Sequence, residues 1–176
     1  MTGAKATWDL ERGDTVISLP ESVLLTANAA SESPIGSIFD AASGLSDQDV
    51  IILFMVWILA KPGEAGRWES YSRHLTNTPC EMPGFMPKDR LQTAIKAHNL
   101  DRSAVMNAVQ KFESDVDHLE QVAQKLLASD TNQRLGAFNA SMVERGQLGH
   151  AKALYKSRCF PARKLNLAPI MAPGES

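Results

Sequence analysis

The chain has 176 residues, of which 44% are hydrophobic and 22% are charged, so it is long enough and apolar enough to bury a globular core. Its formal net charge of -2 gives no electrostatic reason to expect nucleic acid or an acidic membrane surface as a partner. Cys80 and Cys159 lack the spacing of a zinc site and the N-terminus lacks a signal-peptide core, which predicts a metal-free protein of the cytoplasm or an organelle.

Two short segments near the N-terminus have the composition of β-strands. Residues 15–19 (TVISL) are β-branched or aliphatic and are bounded by a Gly-Asp pair and a proline, and residues 23–26 (VLLT) form a second candidate. We therefore expect a hairpin or meander at the edge of a sheet. The Ser33-Pro34 pair that follows is typical of a helix start and predicts a helix that ends near Gly44.

The most apolar run in the sequence is VIILFMVWILA, residues 50–60. The length of this run is about half of the roughly 20 residues that a transmembrane helix requires. Because apolar side chains fall on all of its faces, the run predicts a helix buried inside the core. Ser46 is the candidate N-cap, Pro62 ends the helix, and a second helix is predicted over residues 64–75.

The rest of the chain is predicted to be mostly helical. Residues 76–87 contain too many prolines for a regular helix and form a linker. Residues 101–128 carry a heptad stripe, typical of one helix of an antiparallel pair, with a dimeric coiled coil as the alternative. Further helices are predicted over 88–98, 130–145 and 148–160, and a last strand over 165–171. The acidic side chains of the longest helix are expected to face solvent: Glu113, Asp115, Asp117 and Glu120.

No motif in the sequence defines an active site by itself. The GxSxG pattern of serine hydrolases, the GxGxxG dinucleotide fingerprint and the GxxxxGK[ST] phosphate loop do not occur. The histidines are scattered along the chain, so we expect surface or half-buried roles for them rather than metal or acid-base roles: His74, His98, His118 and His150.

Several short segments, spread over nearly the whole chain, follow an order known from one enzyme family. They are residues 3–25, with a glycine-bearing turn and a segment ending in Pro; Trp68 and Tyr71 in a Trp-x-x-Tyr pattern; GFMPKDRL at 84–91; Ser157, Arg158 and Phe160 in Ser-Arg-x-Phe; and LNLAPIM at 165–171. Together these segments resemble the SET-domain protein-lysine methyltransferases of the Rubisco large-subunit methyltransferase type.

The resemblance implies an α+β fold. Residues 1–86 would form the N-terminal part of a SET domain with short strands and helices, 87–146 an all-helical insert, and 147–176 the return into the SET core. It also implies methylation of a lysine in a substrate protein, with S-adenosylmethionine as the cofactor.

The resemblance also suggests site residues. Gly3 and Arg158 would contact the cofactor, and Ser157 and Phe160 would line the side on which the substrate lysine lies. The family's Asn-His motif and catalytic tyrosine have no match, and His150 replaces the usual Trp, so we expect an incomplete chain that is inactive by itself. The alternatives are a non-catalytic protein-binding helical module derived from such an enzyme, or an unrelated helical protein.

Overall fold

The computed structural model describes residues 7–15, 19–41, 44–77, 82–129 and 138–158. Within these ranges the chain forms α-helices joined by short 3-10 turns and contains no strand. The helices are α1 (Ala27–Ser31), α2 (Gly36–Ala41), α3 (Asp47–Ala60), α4 (Glu69–Thr76), α5 (Lys88–Ala97), α6 (Arg102–Ser129) and α7 (Arg145–Arg158).

The expected α+β fold is wrong, because the described residues are mostly helical and form no sheet. The predicted strand at 23–26 is replaced by a 3-10 turn at Glu21–Val23 and by the start of α1. The Thr26 hydroxyl accepts a hydrogen bond from the backbone N–H of Ala29 at 3.1 Å. This N-cap satisfies a helical donor, so the chain enters a helix where its β-prone composition suggested a strand.

Other predicted elements lie partly outside the described residues. Of residues 15–19 only Thr15 and Leu19 are described, and neither is in a strand. The predicted strand at 165–171 lies wholly outside. The predicted helix at 130–145 is described only from residue 138, where a 3-10 turn at Ala140–Val143 precedes α7.

Helix α3 occupies the centre of the core, as its composition predicted. The side chains from Ile52 to Ile58 are all buried. The predicted N-cap is confirmed, because the Ser46 hydroxyl accepts from the Asp49 N–H at 3.2 Å and the Asp49 carboxylate accepts from the Ser46 hydroxyl at 2.6 Å. At the other end, the buried Ser72 hydroxyl of α4 donates to the Ile58 carbonyl. Both ends of this apolar helix are therefore tied by polar side chains.

Helix α6 covers the core through one face. The predicted heptad stripe is buried over most of its length, at Phe112, Val116, Leu119, Ala123 and Leu126. This face packs against α7 of the same chain, and α7 in turn packs against α3. The stripe therefore serves packing inside one chain, which is the arrangement that the sequence favoured.

A 3-10 turn at Pro83–Phe85 fits closely between α6 and α7 because of two glycines. The rings of Phe85 and Phe112 meet edge to face with their centroids 5.8 Å apart. A Cβ atom on Gly149 would lie 2.8 Å from Cζ of Phe85, and one on Gly84 would overlap the Phe112 ring. Glycine at both positions thus lets the aromatic rings rest directly on the backbone.

Candidate functional site

An open cleft of about 470 Å³ lies where the C-terminal ends of α3 and α4 meet the Ala140–Val143 turn and the first half of α7. Its volume is within the range of roughly 300–1,000 Å³ that small-molecule sites occupy. The cleft is lined by apolar Leu59, Ala60 and Met142 and by polar Lys61, Thr76, Ser141, Gln147 and His150. We consider it the candidate functional site of the described residues.

His150 connects the cleft with the aromatic packing beneath it. Its half-buried ring lies edge-on to Phe85, with the ring centroids 6.4 Å apart. Burial lowers the pKa of His150 below its ordinary value of 6.5, and the positive charge of Arg158 lowers it further. The imidazole is therefore neutral at neutral pH, with one ring nitrogen carrying a proton and the other accepting hydrogen bonds.

The remaining polar groups of the cleft differ in what they can offer a ligand. The Thr76 hydroxyl donates to the Ser72 carbonyl at 3.0 Å, and the Ser141 hydroxyl donates to Oδ1 of Asn139 at 2.6 Å. Their protons are thus already used inside the protein. Lys61 Nζ lies 3.1 Å from Oε1 of Glu64, which uses one of its three N–H groups.

Two of the four residues expected to contact cofactor or substrate are described, and both lie at the C-terminal end of α7. The Ser157 hydroxyl donates to the Leu154 carbonyl at 3.0 Å, and Nη1 of Arg158 donates to the Ser157 hydroxyl at 3.1 Å. Ser157 and Arg158, which are neighbours in the chain, thus share one exposed hydrogen bond. Gly3 and Phe160 lie outside the described residues.

Sequence reasoning missed a buried charge next to this end of α7. Lys152 is only 1% exposed, and its Nζ lies 2.9 Å from Oδ2 of Asp115 on α6. The local signal was present, because Lys152 lies within the buried run of α7 between Ala151 and Ala153. Its partner was not apparent, because it is on another helix.

The acidic residues of α6 do not all face solvent, so that prediction is wrong in part. Asp115 is half-buried against α7, and Asp117 and Glu120 both pair with Arg145 at the start of that helix. The reason is that α7 packs alongside α6 and brings three cations to this face: Arg145, Lys152 and Lys156. Glu113 is exposed, as expected.

The described ranges contain neither a metal-binding cluster nor a membrane-spanning helix. In them, no three His, Cys, Asp or Glu side chains come together in a way that could hold a metal ion. Among the helices described here, none combines the length and the hydropathy needed to cross a membrane. Cys80 and Cys159 lie outside the described residues.

No protein-family model, no curated protein and no solved structure matches this chain. The resemblance to SET-type methyltransferases therefore rests on the sequence segments quoted above. The roles that it implies for Arg158 and Ser157 stay predictions, and so does S-adenosylmethionine as the cofactor.

Proposed function

We propose that this chain takes part in S-adenosylmethionine-dependent protein-lysine methylation, with the C-terminal end of α7 as one part of the cofactor contact. The proposal comes from the order of the SET-like segments in the sequence. The observation that carries it is the position of Arg158, which follows the Ser157 that orients it and lies at the end of a helix packed on the core.

The guanidinium of Arg158 has the properties that such a contact needs. It donates to Ser157, and within the described part of the chain it has no acidic partner. A guanidinium offers a rigid fork of N–H donors that fits a carboxylate in two parallel hydrogen bonds. The methionine carboxylate of S-adenosylmethionine is such a group, so Arg158 would hold one end of the cofactor.

A methyltransferase needs residues that bind the cofactor and residues that promote the methyl transfer. A methyltransferase must hold the lysine amine close to the sulfonium carbon in the geometry of an in-line displacement. Tyr71 is exposed on α4 and Tyr155 is half-buried on α7, and neither matches the catalytic tyrosine of the resembling family. We therefore assign α7 a binding role and assign no catalytic residue.

The test is isothermal titration of the 176-residue chain with S-adenosylmethionine. We expect micromolar binding that weakens at least tenfold in the Arg158→Ala variant, because the carboxylate loses its charged partner. Arg73→Ala is the matched control, since Arg73 is an exposed arginine paired with Glu69 on α4. Circular dichroism establishes that each variant is folded.

Two outcomes of this titration would contradict the proposal. The first is no binding by a wild-type chain that is folded. The second is an equal loss of affinity in Arg158→Ala and Arg73→Ala, which would mean that overall charge rather than position matters.

A second candidate function, a non-catalytic protein-binding helical module, is favoured by a different observation. The start of α6 extends beyond the core, because residues 102–111 are exposed except for the half-buried Val105 and Val109. Leu100 and Met106 are 48% and 40% exposed in the same region. A folded chain that fails to bind S-adenosylmethionine would favour this candidate over methylation.

A further inference from the structure

We propose that the cleft at His150 binds a small oxyanion, such as the phosphate, sulfate or carboxylate group of a ligand, through Lys61, Gln147 and His150. The proposal does not require methylation, because Lys61 and Gln147 lie outside the SET-like motifs and His150 departs from the residue that the family carries at its position. It rests on the charges around the cleft, on the hydrogen-bond donors that remain free there, and on the protonation state of His150.

Lys61, which directly follows α3, is the charged residue among the described ones that line the cleft. Arg158 is not part of this lining but acts on His150 through its positive charge. No Asp or Glu is among the described residues that line the cleft. Glu64 pairs with Lys61 from outside, with its side chain 56% exposed against 26% for that of Lys61. Lys61 thus keeps N–H groups that can point to a ligand.

The free polar groups of the cleft favour a ligand that accepts hydrogen bonds. The protons of Thr76 and Ser141 are committed within the protein. The donors that remain are the Lys61 ammonium, the exposed Gln147 amide and the ring N–H of His150. Leu59, which is half-buried, and Met142, which is buried, are apolar parts of the same lining.

An oxyanion in this position would also change the protonation of His150. The groups around His150 are the cation Arg158, whose charge lowers its pKa, the Phe85 ring, and the cleft residues Lys61, Thr76, Ser141 and Gln147, with Glu64 paired to Lys61. An anion would offset the cations and raise the pKa of the imidazole. By linkage the protonated form then binds the anion more tightly, so affinity should rise as the pH falls through the pKa of His150.

The test is an NMR titration of the histidine side chains between pH 5 and pH 8 in the 176-residue chain. Sodium sulfate is the probe, because its charge is constant in this range, and sodium chloride at equal ionic strength is the reference. We expect sulfate to raise the pKa of His150 by about one unit, which corresponds to roughly tenfold tighter binding by the protonated form. His98, which is exposed and directly follows α5, is the internal control, and its ring signals should not differ between the two salts.

Variants locate the effect within the cleft. Lys61→Met keeps the length of the side chain but removes its charge, and it should reduce the sulfate-dependent shift of the His150 pKa. Gln147→Ala alters an exposed position and provides a second test should Lys61→Met fail to fold. Lys88→Met, at an exposed lysine of α5, is the matched control and should leave the shift unchanged.

The proposal is overturned if His150 titrates alike in sulfate and chloride, or if His98 responds to sulfate as strongly as His150 does. It is also overturned if Lys88→Met and Lys61→Met behave alike. Acetate and methyl phosphate, compared in the same way, then show whether the cleft prefers a carboxylate or a phosphate group.

Discussion

Lys152 carries a charged side chain in a buried position, with only 1% of the residue exposed. A buried ammonium loses several kcal/mol of hydration free energy, and only a close carboxylate with good geometry repays that loss. Asp115 supplies this carboxylate from the neighbouring helix at 2.9 Å, with Lys156 at 4.0 Å from the same oxygen. The contact between α6 and α7 therefore contains one ion pair with a buried cation, beside the more exposed pairs that Arg145 forms with Asp117 and Glu120.

Asp115→Asn should lower the free energy of unfolding by roughly 3 kcal/mol, because it leaves the buried Lys152 charge without compensation. Lys152→Met removes that charge with little change in volume and should cost much less. Asp117→Asn is the matched control: its pair with Arg145 is exposed, so we expect a loss of at most about 1 kcal/mol. Urea denaturation at pH 7 measures all three variants. Equal losses in Asp115→Asn and Asp117→Asn would show that burial of the pair is not what matters.

At the scale of the element, α3 depends on its N-terminal cap more than most helices do. Its apolar composition leaves few polar side chains to satisfy the backbone groups at its ends. Ser46 and Asp49 form a capping box, and the same Asp49 carboxylate lies 3.5 Å from Nε2 of His118 on α6. The cap thus fixes the start of α3 and also connects it with the longest helix.

Ser46→Ala should lower the free energy of unfolding by about 1 kcal/mol, the usual cost of losing an N-cap. In a chain of this length the thermal midpoint should fall by roughly 2–4 °C. Ser114→Ala, at an exposed position in the middle of α6, is the control and should change the midpoint little. Thermal unfolding followed by circular dichroism measures both. An N-cap role would be refuted if the two alanine variants shifted the midpoint equally.

At the scale of the whole molecule, one core joins most of the described helices. Its buried residues come from α1, α2, α3, α4, α6 and α7 and from turns between them, together with Phe138 and the turn that follows it. Helices that share one core should unfold together rather than as separate units.

Leu154→Ala tests this cooperativity, because Leu154 is fully buried in α7. We expect a loss of about 2–5 kcal/mol from the cavity that the substitution leaves. Tryptophan fluorescence reports on the buried Trp57 and Trp68, and circular dichroism is dominated by long helices such as α6. The two signals should shift to the same new midpoint. Separate midpoints would mean that the helical region around α6 unfolds as a unit of its own.

The sequence predicted the features of this fold that depend on residues close together in the chain. The cap at Ser46, the burial of α3 and the burial of the α6 stripe follow from local composition and from the spacing of hydrophobic residues. The structure confirms these three predictions. The segment at 23–26 is too short to show a period, so its β-prone composition could not be told from a turn leading into a cap. That ambiguity was one source of the wrong α+β prediction.

The candidate site was harder to predict than the helices. Lys152 and Asp115 belong to different helices, and the cleft at His150 is assembled from four separate elements. No local sequence pattern specifies such contacts between distant residues, since they depend on how the helices pack. Ser157 and Arg158 were predicted from one short motif, and their role stays a prediction. His150 was named only among the scattered histidines and as a departure from the family's usual Trp.

The position of α3 along the chain also has a consequence during synthesis. Helix α7, which packs against α3, begins roughly 85 residues after α3 ends. Ribosomes add about 5–20 residues per second, so several seconds pass before α7 is made. Of the described helices that pack against this apolar segment in the folded chain, α1 and α4 are made before α7. The nascent chain should therefore depend on chaperones most strongly after α3 has left the ribosome and before α7 has followed it.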